Sequence, residues 1–179
     1  MRALVLLAGL ALAVGLRVLV GGEDVARSVP AGLVFAACLL VLSVAARTRV
    51  PVTWHALGLG LLGVVVVCLP VGLAQAVAVK PLHDATGFLP WALAVVVVAG
   101  VEEVFLRGTL FDAVPRPRVA VAVSALAFAL LHVPMYGWGA VPLDLAVGVV
   151  LGGLRLEAGT AAAPVVTHVG ADLVGWFLR

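Results

Sequence analysis

Long stretches without a charged side chain are the feature that most constrains this fold. Residues 28–46, 50–79 and 119–143 contain no Asp, Glu, Lys or Arg. A helix needs about 20 apolar residues to cross the ~30 Å hydrocarbon core of a bilayer, and each stretch is close to that length or longer. Only 11% of the chain is charged and 64% is hydrophobic, whereas about a quarter of a soluble domain is charged. The sequence therefore predicts an integral membrane protein.

Charged residues, glycines and prolines divide the chain into seven apolar segments. In lipid, the backbone groups of each span must bond within that span, and the alternation typical of a membrane β-barrel is missing. We therefore predict an all-α, polytopic membrane helix bundle. Its third helix is long and must tilt or kink, and its last two helices form a tight hairpin. The segments lie at residues 3–20, 29–46, 53–78, 89–112, 117–134, 141–157 and 161–178.

The N-terminal segment and the basic residues predict how the chain sits in a membrane. Met1 and Arg2 before an apolar run resemble a signal peptide, but Arg17 interrupts the run and no A-x-A site follows, so we expect a retained first helix. A cytoplasmic N-terminus puts the larger share of basic residues inside, as the positive-inside rule requires. The inner set is then Arg2, Arg47, Arg49, Arg107, Arg116, Arg118 and Arg155, and the outer set is Arg17, Arg27, Lys80 and Arg179.

Charge and cysteine content argue against other classes of protein. The formal net charge is +2 and the 11 basic residues are scattered, so no nucleic-acid-binding surface is indicated. Cys38 and Cys68 lie inside apolar segments without C-x-x-C spacing, so we interpret both as small apolar residues. The basic residues are nearly all arginine, which favours a GC-rich bacterial genome and hence a bacterial plasma membrane. With no repeat or linker, residues 1–179 are predicted to form one domain in contact with membrane lipid.

Ionisable side chains inside the apolar segments are the candidate functional residues, because each costs about 2.5–3.5 kcal/mol at the centre of a bilayer. Glu103 and Arg107 are four residues apart and predict an ion pair on one helix face, whereas Glu102 points about 100° away. Two adjacent glutamates carry more negative charge than one arginine balances. One carboxylate is therefore left for chemistry, with the alternative that both acids simply satisfy Arg107.

Two histidines lie on later segments. Phe128 and His132 are four residues apart, so the phenyl ring can wall the imidazole, although a lone histidine of this kind is more often a packing residue. His168 and Asp172 also share a face, which suits two ligands of one metal, a carboxylate that orients an imidazole, or a hydrogen bond between helices. Asp144, near the start of the sixth segment, is expected at the interface. Brought together, a glutamate and two histidines could activate water.

These motifs, in this order, resemble those of the CAAX protease and bacteriocin-processing (CPBP) family of intramembrane endopeptidases, which are type II CAAX prenyl endopeptidase-like. The resemblance covers roughly residues 90–178. An aspartate stands at position 172 where the family commonly has asparagine, and an ionised aspartate cannot donate a hydrogen bond to an oxyanion. The family carries E-E-x-x-x-R, F-x-x-x-H and H-x-x-x-N, which here are Glu102-Glu103-x-x-x-Arg107, Phe128-x-x-x-His132 and His168-x-x-x-Asp172.

The resemblance implies a role for each motif residue. Glu102 is the general base on a water, with His132 as its partner. His168 stabilises the oxyanion with support from Asp172, and the neighbouring ion pair holds the base in place. Participation of a metal stays open, because this chemistry works with or without one. The ligand set for Zn²⁺ would be Glu102, His132, His168 and Asp172.

The resemblance also implies a division of the chain and a class of substrate. Residues 89–178 are expected to form the catalytic core, with residues 1–80 as accessory helices. Eukaryotic relatives trim the last three residues after a prenylated cysteine, and bacterial relatives are linked with bacteriocin maturation and self-immunity. We therefore expect a membrane-anchored, in some cases lipidated, peptide or protein substrate. Two alternatives stay open: a non-catalytic immunity or scaffold protein that retains the pocket, and a transporter or proton relay.

Overall fold

The computed structural model describes residues 1–78 and 87–178, and within them every regular element is a helix. A π-helical segment, Val104–Leu110, continues the fourth α-helix, and short 3₁₀ turns lie at Gly22–Asp24 and Trp138–Ala140. The predicted all-α bundle is confirmed, and the seven predicted segments agree closely with the helices. The α-helices of this described part are α1 (Arg2–Gly21), α2 (Val29–Ala45), α3 (Trp54–Ala78), α4 (Phe88–Glu103), α5 (Pro117–Tyr136), α6 (Val141–Ala158) and α7 (Ala162–Phe177).

The lengths and exposed surfaces of the helices are those of a membrane protein. Within the described ranges, α2 is apolar but shorter than a typical span, and α7 has only 16 residues. Leucines such as Leu4, Leu12 and Leu61 are largely exposed on the outside of the bundle, as expected where lipid is the solvent. The chain is an integral membrane protein. Five stretches are long and apolar enough to cross a bilayer: Arg2–Asp24, Trp54–Ala74, Phe88–Leu110, Pro117–Tyr136 and Trp138–Ala158.

Several helix ends follow from the local sequence. The Ser28 hydroxyl accepts a hydrogen bond from the Ala31 N–H (3.3 Å) in the first turn of α2. α6 ends at Ala158, and the next residue, Gly159, has a φ of 68°, which glycine adopts without strain. Only residues 159–161 then separate α6 from α7, so the predicted tight hairpin is confirmed. α3 is 25 residues long and contains Pro70, where one interior helix hydrogen bond is lost.

Glycines allow two pairs of helices to approach closely. A Cβ added to Gly148 of α6 would lie 2.9 Å from the Ala125 Cα of α5, and one added to Gly170 of α7 would lie 2.6 Å from a methyl carbon of Val64 in α3. The absence of a side chain at Gly170 thus lets α7 approach α3 closely. The main apolar core includes buried side chains from five of the described helical elements: Leu6, Leu10, Phe35, Leu39, Phe105, Leu110, Phe128 and Leu151.

We expect Gly148→Val to destabilise the contact between α5 and α6. The added carbons would meet backbone atoms of Ala125 at 2.9–3.1 Å, and a helix backbone cannot move aside as a flexible side chain can. Overpacking of this kind costs about 1–3 kcal/mol. The matched control is Gly153→Val on the same helix, where a Cβ meets nothing within 4 Å. Thermal unfolding in detergent measures the difference, and equal melting temperatures for the two variants would contradict this packing.

The π-helical segment is a departure from the plain helix predicted for residues 89–112. Six of its seven residues are buried. The Thr109 hydroxyl lies 2.9 Å from the Ser43 hydroxyl and 2.7 Å from that of Thr48, while the Arg155 Nε donates to the Arg107 carbonyl at 2.8 Å. Side chains from other parts of the chain thus form hydrogen bonds with the π-helical segment, where the helix is locally wider. Such π turns often occur at functional sites, and this one follows directly after two glutamates.

Candidate active site

Glu103 and Arg107 form a buried ion pair within the bundle. Glu103 Oε1 lies 2.7 Å from Arg107 Nη1, and neither side chain is exposed. Arg107 Nη2 donates to the Gly148 carbonyl of α6 at 3.1 Å, and the guanidinium lies 4.9 Å from the centroid of the Phe128 ring. The ion pair predicted from the spacing is confirmed. The assignment of Arg107 to the basic residues of an inner loop was wrong, because its side chain points into the protein.

Glu103 has a second partner that the sequence did not predict. His168 Nδ1 lies 3.0 Å from the same Oε1 atom. A carboxylate paired with arginine accepts hydrogen bonds, so the His168 Nδ1–H donates to it. On the other side of the ring, Nε2 lies 3.7 Å from Asp172 Oδ2, one helical turn further along α7. Glu103 therefore joins Arg107 to an imidazole, and His168 is flanked by two carboxylates.

Phe128 connects the two histidines. Its ring centroid lies 4.6 Å from that of His132 and 5.3 Å from that of His168, both in edge-on arrangements. The predicted contact between Phe128 and His132 is thus confirmed. The same phenyl ring also packs against the imidazole of His168. His132 Nδ1 lies 2.9 Å from the Phe128 carbonyl oxygen. This oxygen can only accept, so Nδ1 carries the hydrogen and Nε2 of His132 keeps a lone pair.

Asp144 approaches His132 from α6. Its Oδ2 atom lies 4.0 Å from His132 Nδ1, and the side chain is 18% exposed. This separation is too long for a hydrogen bond, and among the described atoms Oδ2 is buried without a hydrogen-bond partner. The sequence placed Asp144 at the interface near the start of its segment, but it did not show that the side chain faces the histidine. The signal was an acidic residue inside an apolar segment.

Glu102 is buried, and its ion-pair partner comes from the first helix. The Oε1 atom lies 3.6 Å from Arg17 Nη1, and the Arg17 guanidinium lies 5.1 Å from the centroid of the Phe35 ring in α2. The counting of Arg17 among the outer loop charges was wrong, because only 9% of the residue is exposed. The signal was a lone arginine inside an apolar segment.

Glu102 and His132 each lie within electrostatic range of the same three groups, on α1, α4 and α7. Glu102 interacts with the charges of His168, Arg17 and Glu103, and His132 interacts with those of His168, Arg17 and Glu103. The structure thus gathers side chains from α1, α4, α5 and α7. In the part of the chain that the structure describes, no direct hydrogen bond joins Glu102 to His132, so the predicted partnership of these two residues requires a group between them.

The side chains do not fit a resident metal ion in this geometry. Among residues 1–78 and 87–178, no three His, Cys, Asp or Glu side chains are arranged to hold one. His168 Nδ1 donates to Glu103 and His132 Nδ1 donates to Phe128, while Glu102 faces Arg17. The zinc ligand set considered from the sequence is therefore not assembled in the described residues.

The fold and the site define a polytopic membrane protein with a buried glutamate–histidine cluster. Residues 84–174 match the family of type II CAAX prenyl endopeptidase Rce1-like proteins. This match spans just over half of the chain and contains both glutamates and both histidines of the cluster. The chain belongs to this family, which implies protease activity of the CAAX type, and the resemblance is confirmed. No curated protein and no solved structure matches the chain significantly.

Proposed function

We propose that this chain is an intramembrane endopeptidase that hydrolyses a peptide bond in a membrane-anchored peptide or protein. The observation that carries the proposal is that His132 and His168 both contact Phe128, and that His168 is bonded to Glu103, the residue after the buried Glu102. Ionisable groups are costly at this depth, so a cluster of them in a family of endopeptidases is best explained by catalysis.

In the proposed reaction, Glu102 is the general base. A water bound between the Glu102 carboxylate and Nε2 of His132 gives its proton to the carboxylate, and its oxygen attacks the scissile carbonyl carbon. The lone pair on Nε2 supports this role, because Nδ1 is already committed to the Phe128 carbonyl. The carbon–nitrogen bond then breaks, and the proton held by Glu102 passes to the leaving amine. The water oxygen ends in the new carboxylate.

His168 is the proposed donor to the oxyanion. In the protonated ring, the Glu103 carboxylate holds the Nδ1–H, and the second N–H, at Nε2, is the one that would meet the developing charge. Asp172 lies 3.7 Å from Nε2, which supports an orienting role for this residue rather than donation to the oxyanion. Glu103 therefore serves two groups in the proposal, since it neutralises Arg107 and orients His168.

The experiment that tests the function is cleavage of a peptide panel by the purified protein in detergent. The panel presents one sequence with a farnesyl group, a palmitoyl group, a membrane-spanning anchor or no lipid, and mass spectrometry identifies the products. His132→Ala is expected to lower turnover about 100-fold or more, whereas the exposed control His55→Ala keeps it. Equal turnover by the wild type and both variants would contradict the proposed mechanism. Loss of turnover in chelator, restored by Zn²⁺, would assign the cluster to a metal.

We also propose that the N-terminus is cytoplasmic in a bacterial plasma membrane. Arg17 and Arg107 are buried and no longer count as loop charges, and Lys80 and Arg179 lie outside the described residues. At one end of the bundle the exposed arginines are Arg2, Arg47, Arg49, Arg116 and Arg118. At the other end the described residues include one exposed arginine, Arg27. This imbalance favours the first group as the inner one.

Cysteine labelling in intact bacteria tests this orientation. The Arg27→Cys variant is expected to react with an impermeant maleimide, because residue 27 is exposed in the loop after α1. The Arg118→Cys variant, exposed at the opposite end of the bundle, should react only after the membrane is made permeable. Both variants are made in a background in which Cys38 and Cys68 are replaced by serine. The reverse labelling pattern would put the N-terminus outside.

A further inference from the structure

The acidic pair at positions 102 and 103 is balanced by two arginines from different parts of the chain. We propose that Arg17 is a positioning residue that holds the Glu102 carboxylate for the reaction, so that α1 is part of the active site rather than an accessory helix. This inference rests on the proposed role of Glu102 as general base. Arg17 lies outside residues 84–174, which the family match covers.

The two adjacent glutamates need two positive charges. Arg107 is committed to Glu103 at 2.7 Å, with no part of either side chain exposed. Glu102 is the adjacent residue and is 3% exposed, so it needs a counter-charge of its own. Arg17 supplies it, with Nη1 at 3.6 Å from Oε1. The second negative charge of the Glu102–Glu103 motif is thereby balanced by Arg17, the lone arginine of the first apolar segment.

Arg17 lies on the buried face of α1. The buried residues of α1 are Leu6, Leu10, Ala13 and Arg17, at spacings of three and four that define one helix face. Arginines near the end of a membrane helix commonly extend to the interface. The Arg17 side chain is only 11% exposed and instead lies against Phe35, which is itself fully buried. Arg17 is therefore directed into the bundle.

The two glutamates differ in the geometry of their contacts. Glu103 Oε1 accepts two short hydrogen bonds, from Arg107 and His168, whereas its Oε2 atom is buried without a hydrogen-bond partner among the described residues. The Arg17–Glu102 contact is longer than a hydrogen bond. It attracts and orients the carboxylate but leaves its oxygens able to accept from a water. The Glu103 carboxylate is thus fixed by Arg107 and His168, while Glu102 has one longer contact and is the carboxylate that we assign as the base.

The test combines kinetics with unfolding of the full-length protein in detergent. With a peptide that the wild type cleaves, Arg17→Gln is expected to lower kcat about 100-fold, as misplacement of a reacting group does. KM should stay nearly unchanged, because Arg17 acts through Glu102 and not on the substrate. Arg17→Lys keeps the charge and should restore a large part of kcat. The control Arg27→Gln, exposed beyond the end of α1, should match wild type.

A double-mutant cycle measures the contact without any substrate. The melting temperatures of Arg17→Gln, Glu102→Gln and the double variant are compared with wild type, and the double variant should lose less than the sum of the single losses. Additive losses overturn the proposed pair. If the wild type cleaves and Arg17→Gln cleaves equally well, the positioning role falls while the proposed function stands. If no peptide is cleaved but the cycle shows coupling, the proposed function falls and the pair of α1 with Glu102 stands.

Discussion

Replacing Glu102 by glutamine is expected to lower kcat for peptide cleavage by about 10²–10⁴-fold, the contribution of a general base. Glutamine has nearly the same size and still forms hydrogen bonds, but its amide cannot take a proton from water. KM should change little, because the base contributes in the transition state and not in substrate binding. Initial rates, followed by mass spectrometry over a range of substrate concentrations, separate the two parameters.

The control for this prediction is Glu157→Gln, which makes the same chemical change at an exposed position near the end of α6. It should leave both kcat and KM at wild-type values. Circular dichroism and size-exclusion chromatography in detergent should show that both variants remain folded. An undiminished kcat in folded Glu102→Gln would exclude this residue as the base.

Replacing Arg107 by methionine is expected to destabilise the protein by about 3–5 kcal/mol, the cost of leaving one charge of a buried pair alone. The guanidinium is fully buried and holds Glu103 Oε1 at 2.7 Å and the Gly148 carbonyl at 3.1 Å. Its loss leaves the Glu103 carboxylate without its arginine. We expect a large fall in the melting temperature in detergent and in the yield of folded protein.

Two further variants show that the charge, and not the size of the side chain, is responsible. Arg118→Met changes an exposed arginine at the start of α5 and should alter stability by no more than about 0.5 kcal/mol. The double variant Glu103→Leu/Arg107→Met removes both charges and should recover much of the lost stability, because a buried ion pair can often be replaced by apolar residues. Equal melting temperatures for Arg107→Met and Arg118→Met would contradict the buried pair.

Helix positions could be predicted from the sequence because the bilayer sets both length and composition. The charged and glycine-rich ends of the seven segments agree closely with the ends of the observed helices. Contacts within one helix were equally predictable, since residues four apart share a face. Glu103 meets Arg107, Phe128 meets His132, and His168 lies near Asp172.

Contacts between helices could not be derived in the same way. The pairing of Glu102 with Arg17 depends on α1 lying beside α4, and the approach of Asp144 to His132 depends on α6 packing against α5. One sequence with nearly uniform apolar faces does not specify which helices are neighbours. The π-helical turn was missed for a related reason, because it is accompanied by side-chain bonds from α2 and α6 rather than by a local signal.

An experimental structure of the wild-type protein in a lipid nanodisc, with ordered waters visible, tests the central claim most directly. We predict that Glu102, His132 and His168 face one hydrated cavity, with a water within hydrogen-bonding distance of both the Glu102 carboxylate and His132 Nε2. A structure in which Glu102 points away from both imidazoles, or in which the two imidazoles lie on opposite sides of the bundle, would contradict the proposed peptidase site.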